Sequence, residues 1–71
     1  MAYDKAKDLE AAKAILEVAS EKFPNSSIVL TRWGDYYSLK NDKQNALLNY
    51  ENALKLEPLD KDLIEKVRAL R

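Results

Sequence analysis

Apolar residues recur along the chain at steps of three and four, and polar punctuation divides them into four blocks. Leu9, Ala12, Leu16, Ala19 and Phe23 form the first stripe, widened by Ile15 and Val18. Leu30, Trp33, Gly34 and Tyr37 form the second, and Ala46, Leu47, Tyr50, Ala53 and Leu54 the third. Leu63, Ile64, Val67 and Leu70 complete the fourth. Such spacing places each set on one face of an α-helix, and no stretch alternates with period two, so no strand is predicted. The breaks are legible as well. Pro24 cannot continue the first helix, and Asn25, Ser26 and Ser27 offer oxygens to cap the second. Lys40-Asn41-Asp42 reads as a turn whose Asn41 or Asp42 caps the third helix, Pro58 ends that helix, and Asp60 caps the fourth. The expected architecture is all-α, with helices near residues 5–22, 26–40, 43–56 and 60–70. Connections this short force consecutive helices to lie side by side and antiparallel.

Composition narrows the function more than the fold. The single Gly, two Pro and abundant Ala, Leu, Lys and Glu suit helices. The chain has 71 residues, enough for one small domain near the lower limit for a core without staples. With no Cys and no His, it offers no disulfide framework, thiolate nucleophile or common zinc or haem ligand, and the absence of cysteine leaves the compartment undetermined. Twelve basic residues balance twelve acidic ones, which argues against the basic face a nucleic-acid binder needs. The apolar runs are too short for a membrane span or a signal peptide. Neither a phosphate-cradling glycine loop nor a nucleophile elbow is present. Asp35, Asp42, Glu51, Glu57 and Asp60 are read as caps or solvated groups rather than an acid–base pair, and Lys5, Lys7 and Lys13 as a solvated face. No enzymatic activity and no cofactor are expected.

A shift of 34 residues reveals an internal repeat. It superposes Tyr3 on Tyr37, Asp8 on Asp42, Ala12 on Ala46, Glu17 on Glu51, Ala19 on Ala53 and Pro24 on Pro58. The matches include both helix-ending prolines and two pairs of small residues on the buried stripe. Leu30 and Trp33 match Ile64 and Val67 in character. A two-helix unit of this period resembles the tetratricopeptide repeat (TPR) family. Residues 27–60 look like one complete repeat: Leu30, Gly34 and Tyr37 fall on the pattern of its first helix, with Trp33 where the family usually has Leu, and Ala46, Tyr50, Ala53 and Pro58 fall on that of its second. Residues 3–26 look like the end of a preceding repeat, through Tyr3, Ala12, Leu16, Ala19 and Pro24. Residues 61–71 look like the first helix of a following one, in which Arg68 and Arg71 replace a small residue and a Tyr. That departure suits a terminal helix with a polar outer face.

Packing accounts for these residue types. Ala46 and Ala53 lie seven apart on one face, and Gly34 lacks a Cβ, so neighbouring helices can approach closely there. Glycine inside a helix costs about 1 kcal/mol relative to alanine, which implies a packing reason for Gly34. Tyr37 and Tyr50 are expected to fill the gaps beside small residues while their hydroxyls reach the surface. Trp33 is expected to wedge between the first pair of helices and the second, and Tyr36 to be partly exposed because Tyr37 already holds the buried stripe.

What remains for function is a surface. The TPR resemblance implies a concave groove, lined by the first helices of successive repeats, that takes an extended peptide or a partner's helix. Carried onto this chain, the groove would present Ile28, Thr31, Asp35, Ser38 and Leu39, with Asp62, Glu65 and Ala69 from the last helix. Thr31 and Asp35 stand where a clamp for acidic tails would need Lys and Asn, which argues against that ligand. A groove carrying Asp35, Asp62 and Glu65 would instead prefer a neutral or basic partner. About three repeats are usually needed for a stable stack. The first helix also lacks the one that should precede it, leaving Ala11, Ile15 and Val18 to be covered by residues 1–6 or by another chain or domain, with self-association one route. The expected function is a protein–protein interaction module within a larger protein. The alternative is a structural helical appendage or oligomerisation element of an enzyme or secreted protein, with no ligand of its own. A DNA-binding helix-turn-helix is disfavoured by the balanced charge.

Overall fold

All four helices form, and the starts of the last three are set by side chains the sequence places there. In the computed structural model, which describes residues 5–71 and the side chains from residue 8 onward, α1 spans Lys5–Lys22, α2 Ser27–Leu39, α3 Lys43–Leu56 and α4 Lys61–Leu70. The small differences from expectation are caps. Ser26 has extended backbone and its Oγ accepts from the Val29 N–H at 3.4 Å. Asp60 Oδ1 accepts from the N–H groups of Asp62 and Leu63. Both satisfy amide donors that the first helical turn leaves unpaired.

The α2–α3 turn combines a stop and a start. Asn41 adopts φ 62°, the left-handed conformation that asparagine tolerates better than most residues. This lets the Asp42 N–H reach the Tyr37 carbonyl at 2.9 Å and the Asn41 N–H reach that of Ser38 at 3.1 Å, the Schellman pattern of helix termination. Asp42 then caps α3 by accepting from the Asn45 N–H at 3.2 Å and side-chain amide at 2.7 Å. The Asn45 side chain, then its backbone N–H, and lastly the charge of Lys40 hold the Asp42 carboxyl below its ordinary value. Because the folded pKa is depressed, this contribution is fully present above the ordinary value of 3.8 and fades as pH falls through the folded one.

Each helix packs against the next in the chain, and the α2–α3 interface is the most extensive. The core is centred on α3 and α4: Ala46, Tyr50, Ala53, Leu63 and Val67 are buried, with Leu30, Tyr37, Leu47, Leu54 and Leu70 packed around them. At Gly34, α2 meets the Tyr50 side chain of α3 directly. A Cβ built there would lie 2.5 Å from Cδ1 and 2.9 Å from Cζ of Tyr50, so the bare backbone of α2 rests on that ring. Among the described residues no strand occurs, and no helix is long and apolar enough to cross a membrane.

Three expectations change. Tyr36, expected to be partly exposed, is 6% exposed, whereas Tyr37 is only half-buried. The reason is that α2 has two neighbours. Leu30 and Tyr37 face α3, while Val29 and Tyr36 lie on the side toward α1. A single stripe per helix describes only one of these faces. The Tyr50 hydroxyl does not run free to the surface either, because it donates to the Asp35 carboxylate. Trp33 is half-buried and ties α2 to α1, its indole N–H donating to Ser20 Oγ at 2.6 Å. Its ring stacks on Tyr37 at 5.9 Å and meets Tyr36 edge-on at 5.6 Å.

Candidate protein-interaction cleft

The helix caps and the Gly34 contact fix how α2 sits between its neighbours, and that placement leaves an apolar cleft on the α1 side. It has a volume of about 460 Å³. From α1 it is lined by Leu9, Ala12, Ile15, Leu16 and Ala19, and from α2 chiefly by Val29, Tyr36 and Leu39, with Ile28 at its edge. Ile15 is 68% exposed, Ile28 67% and Leu39 54%, so three large aliphatic side chains stand at one opening. Isolated exposed aliphatics are ordinary, whereas a group of them around one concavity makes this cleft the candidate site.

The charges at this cleft differ from those read along the chain. Asp35, expected to be a free groove carboxylate, accepts from Lys66 Nζ at 2.8 Å and from the Tyr50 hydroxyl. Lys66 also stands over the Tyr50 ring, 5.4 Å from its centroid. One carboxylate thus joins α2 to both α3 and α4. Burial, the hydrogen bond to Asp35 and its negative charge, in that order, push the Tyr50 phenol well above its ordinary value, so it stays a donor throughout the range in which proteins are folded. With Asp35 neutralised in this way, the free charge on the cleft wall is Arg32, which has no ion-pair partner among the described residues. The preference for a neutral or basic partner, drawn from Asp35, Asp62 and Glu65, therefore does not extend to this cleft.

The residues proposed from sequence divide between two places. Ile28, Asp35 and Leu39 lie on the α1–α2 cleft. Ile28, Thr31 and Asp62 line a smaller depression of about 190 Å³ between α2 and α4, together with Asp60, Lys66 and Arg32, the last of which borders both depressions. Thr31 Oγ1 donates to the Ser27 carbonyl at 2.7 Å and is thereby engaged within its own helix. Ser38, Glu65 and Ala69 are exposed and line neither. The helix-facing residues of α1 belong to the cleft although the groove expected from sequence did not include them. Ala11, Ile15 and Val18 are exposed as anticipated, but the deeper wall is Ala12, Leu16 and Ala19. Cover by residues 1–6 falls largely outside the described residues. The signal that locates the wall is the 34-residue shift, since Ala12, Leu16 and Ala19 correspond to the buried Ala46, Tyr50 and Ala53.

Among the described residues no cluster of His, Cys, Asp or Glu could hold a metal ion. Comparison with protein-family models, curated proteins and solved structures returns no match.

Proposed function

We propose that this chain is a protein-interaction module of TPR-like construction, and that the α1–α2 cleft receives an apolar segment of another protein. The observation that carries the reading is the grouping of Ile15, Ile28 and Leu39 around a concavity floored by small and aliphatic side chains. A domain gains nothing in its own stability from leaving these side chains in water, whereas a partner burying them gains roughly 1.5–3 kcal/mol for each one fully covered. The depression between α2 and α4 is smaller and lined mainly by polar residues, which makes it the weaker candidate.

A peptide-display selection against the immobilised domain tests the reading. Selected peptides are expected to lose at least about tenfold in affinity for the Ile15→Asp, Leu39→Asp double variant, as follows from the burial of two aliphatic side chains. Both positions are exposed, so helicity measured by circular dichroism should be retained. If the peptides bind that variant normally and instead lose affinity for Thr31→Lys, Asp62→Lys, the interaction lies on the α2–α4 face and the cleft reading is wrong. If selection yields no peptide at all, the structural-appendage alternative takes its place.

A further inference from the structure

The α1–α2 cleft is the counterpart, one repeat earlier, of the surface on which α2 itself is seated. The 34-residue shift carries Ala12, Leu16 and Ala19 of α1 onto Ala46, Tyr50 and Ala53 of α3, and Val29 and Arg32 of α2 onto Leu63 and Lys66 of α4. In the second set a helix is present. Ala46 and Ala53 are 0% exposed and Leu63 1%, Tyr50 lies under Gly34, and Lys66 pairs with Asp35 at 2.8 Å. In the first set Ala12, Ala19 and Val29 are only half-buried, and all five residues line the open cleft. At these five positions the two surfaces are alike, whereas Leu9, Ile15 and Ile28 stand where the filled one has Lys43, Asn49 and Asp62; among the described residues only the filled one carries a helix.

We infer that the occupant of the cleft is a partner helix with the face of α2: large apolar residues flanking a small one, followed directly by an acidic residue. This rests on the interaction-module reading above and specifies its ligand. The small residue would pass over Leu16, where Gly34 passes over Tyr50. The acidic residue would reach Arg32, where Asp35 reaches Lys66. Leu16 brings no hydroxyl, so the acid's partner in the cleft is Arg32 alone. A second copy of this chain is a poor occupant through its α4, because Arg68 and Arg71 take the places of Gly34 and Tyr37. The polar rim is complementary to the ligand in charge, and that complementarity sets register more than affinity.

The probe is a synthetic peptide of residues 26–41, added to the intact domain with methyl resonances observed by NMR. The expected result is saturable shifts at Leu9, Leu16, Ile28 and Leu39. Arg32→Glu should weaken binding about fivefold, as expected for loss of a partly exposed ion pair. A peptide carrying Asp35→Lys should bind the Arg32→Glu domain better than the unmodified domain. Shifts centred on Ala46 and Leu63 would mean exchange with the resident α2 and would overturn the inference. Equal shifts from a shuffled peptide of the same composition would also overturn it, while leaving the cleft as an apolar binding site. If the α2 peptide shifts nothing but display-selected peptides bind, the helix assignment fails alone; if neither binds, the cleft reading fails with it. Concentration-dependent self-association abolished by Ile15→Asp would give the cleft to a second copy and overturn the inference.

Discussion

Replacing Tyr50 with alanine is expected to destabilise the domain by about 3–5 kcal/mol, the usual cost of deleting a large buried aromatic ring. Small domains have stabilities at the low end of about 5–15 kcal/mol, so the variant should retain no more than about 2 kcal/mol and be measurably unfolded at 25 °C. The ring is 3% exposed, rests under the backbone of α2 at Gly34, and carries the hydroxyl that donates to Asp35. Truncation opens a cavity at the most extensive helix interface and leaves Asp35 with Lys66 as its remaining partner. Tyr50→Phe separates the two effects. It keeps the ring and removes only the hydroxyl, for an expected cost of about 1 kcal/mol. Urea denaturation followed by circular dichroism measures both. A cost for Tyr50→Ala close to that for Tyr50→Phe would show that the ring is not the keystone described.

Gly34→Leu is expected to cost about 3 kcal/mol, near the upper end for overpacking. Helix propensity alone predicts the opposite sign, a gain of up to about 1 kcal/mol for replacing a helix-interior glycine with a good helix former. Space decides the outcome. Even a single Cβ would stand 2.5 Å from Tyr50 Cδ1, and the ring is held by its bond to Asp35 and by the surrounding core. The clash should be relieved in part by Tyr50→Leu, since leucine is the residue at the matching position 16. A double-mutant cycle between the two sites should therefore show strong coupling. If Gly34→Leu stabilised the domain, α2 and α3 would not approach as described.

The helices and their ends are legible in the sequence because each boundary rests on local chemistry. Pro24, Ser26, Asp42, Pro58 and Asp60 act within a few residues of where they stand. The close approach at Gly34 is legible for a related reason: a glycine inside a helix weakens it, so it stands where a Cβ would not fit, here against the Tyr50 ring. Tyr36 and Asp35 escape such a reading because their surroundings come from other helices. Tyr36 is buried on the side of α2 that faces α1, and Asp35 is fixed by Tyr50 and Lys66 from α3 and α4. A stripe read along one helix does not reveal how many neighbours it has. The cleft is half legible. Its exposed Ile28 and Leu39 stand off the main stripe, whereas its floor of Ala12, Leu16 and Ala19 resembles an ordinary core until compared with the filled site on α3.

The most direct test of the equivalence between the two surfaces is to tether a copy of α2 to the cleft covalently. A second copy of residues 26–41 would replace residues 1–7, so that its Asn41 is followed by Asp8 as Asn41 is followed by Asp42. Native-state hydrogen exchange then reads whether the added helix docks. Equivalent surfaces predict protection of the added amides, a rise in α1 protection toward that of α3, and a gain in stability of about 2 kcal/mol from the newly buried aliphatic surface. An added segment that exchanges freely while α1 and the global stability stay unchanged would contradict the equivalence.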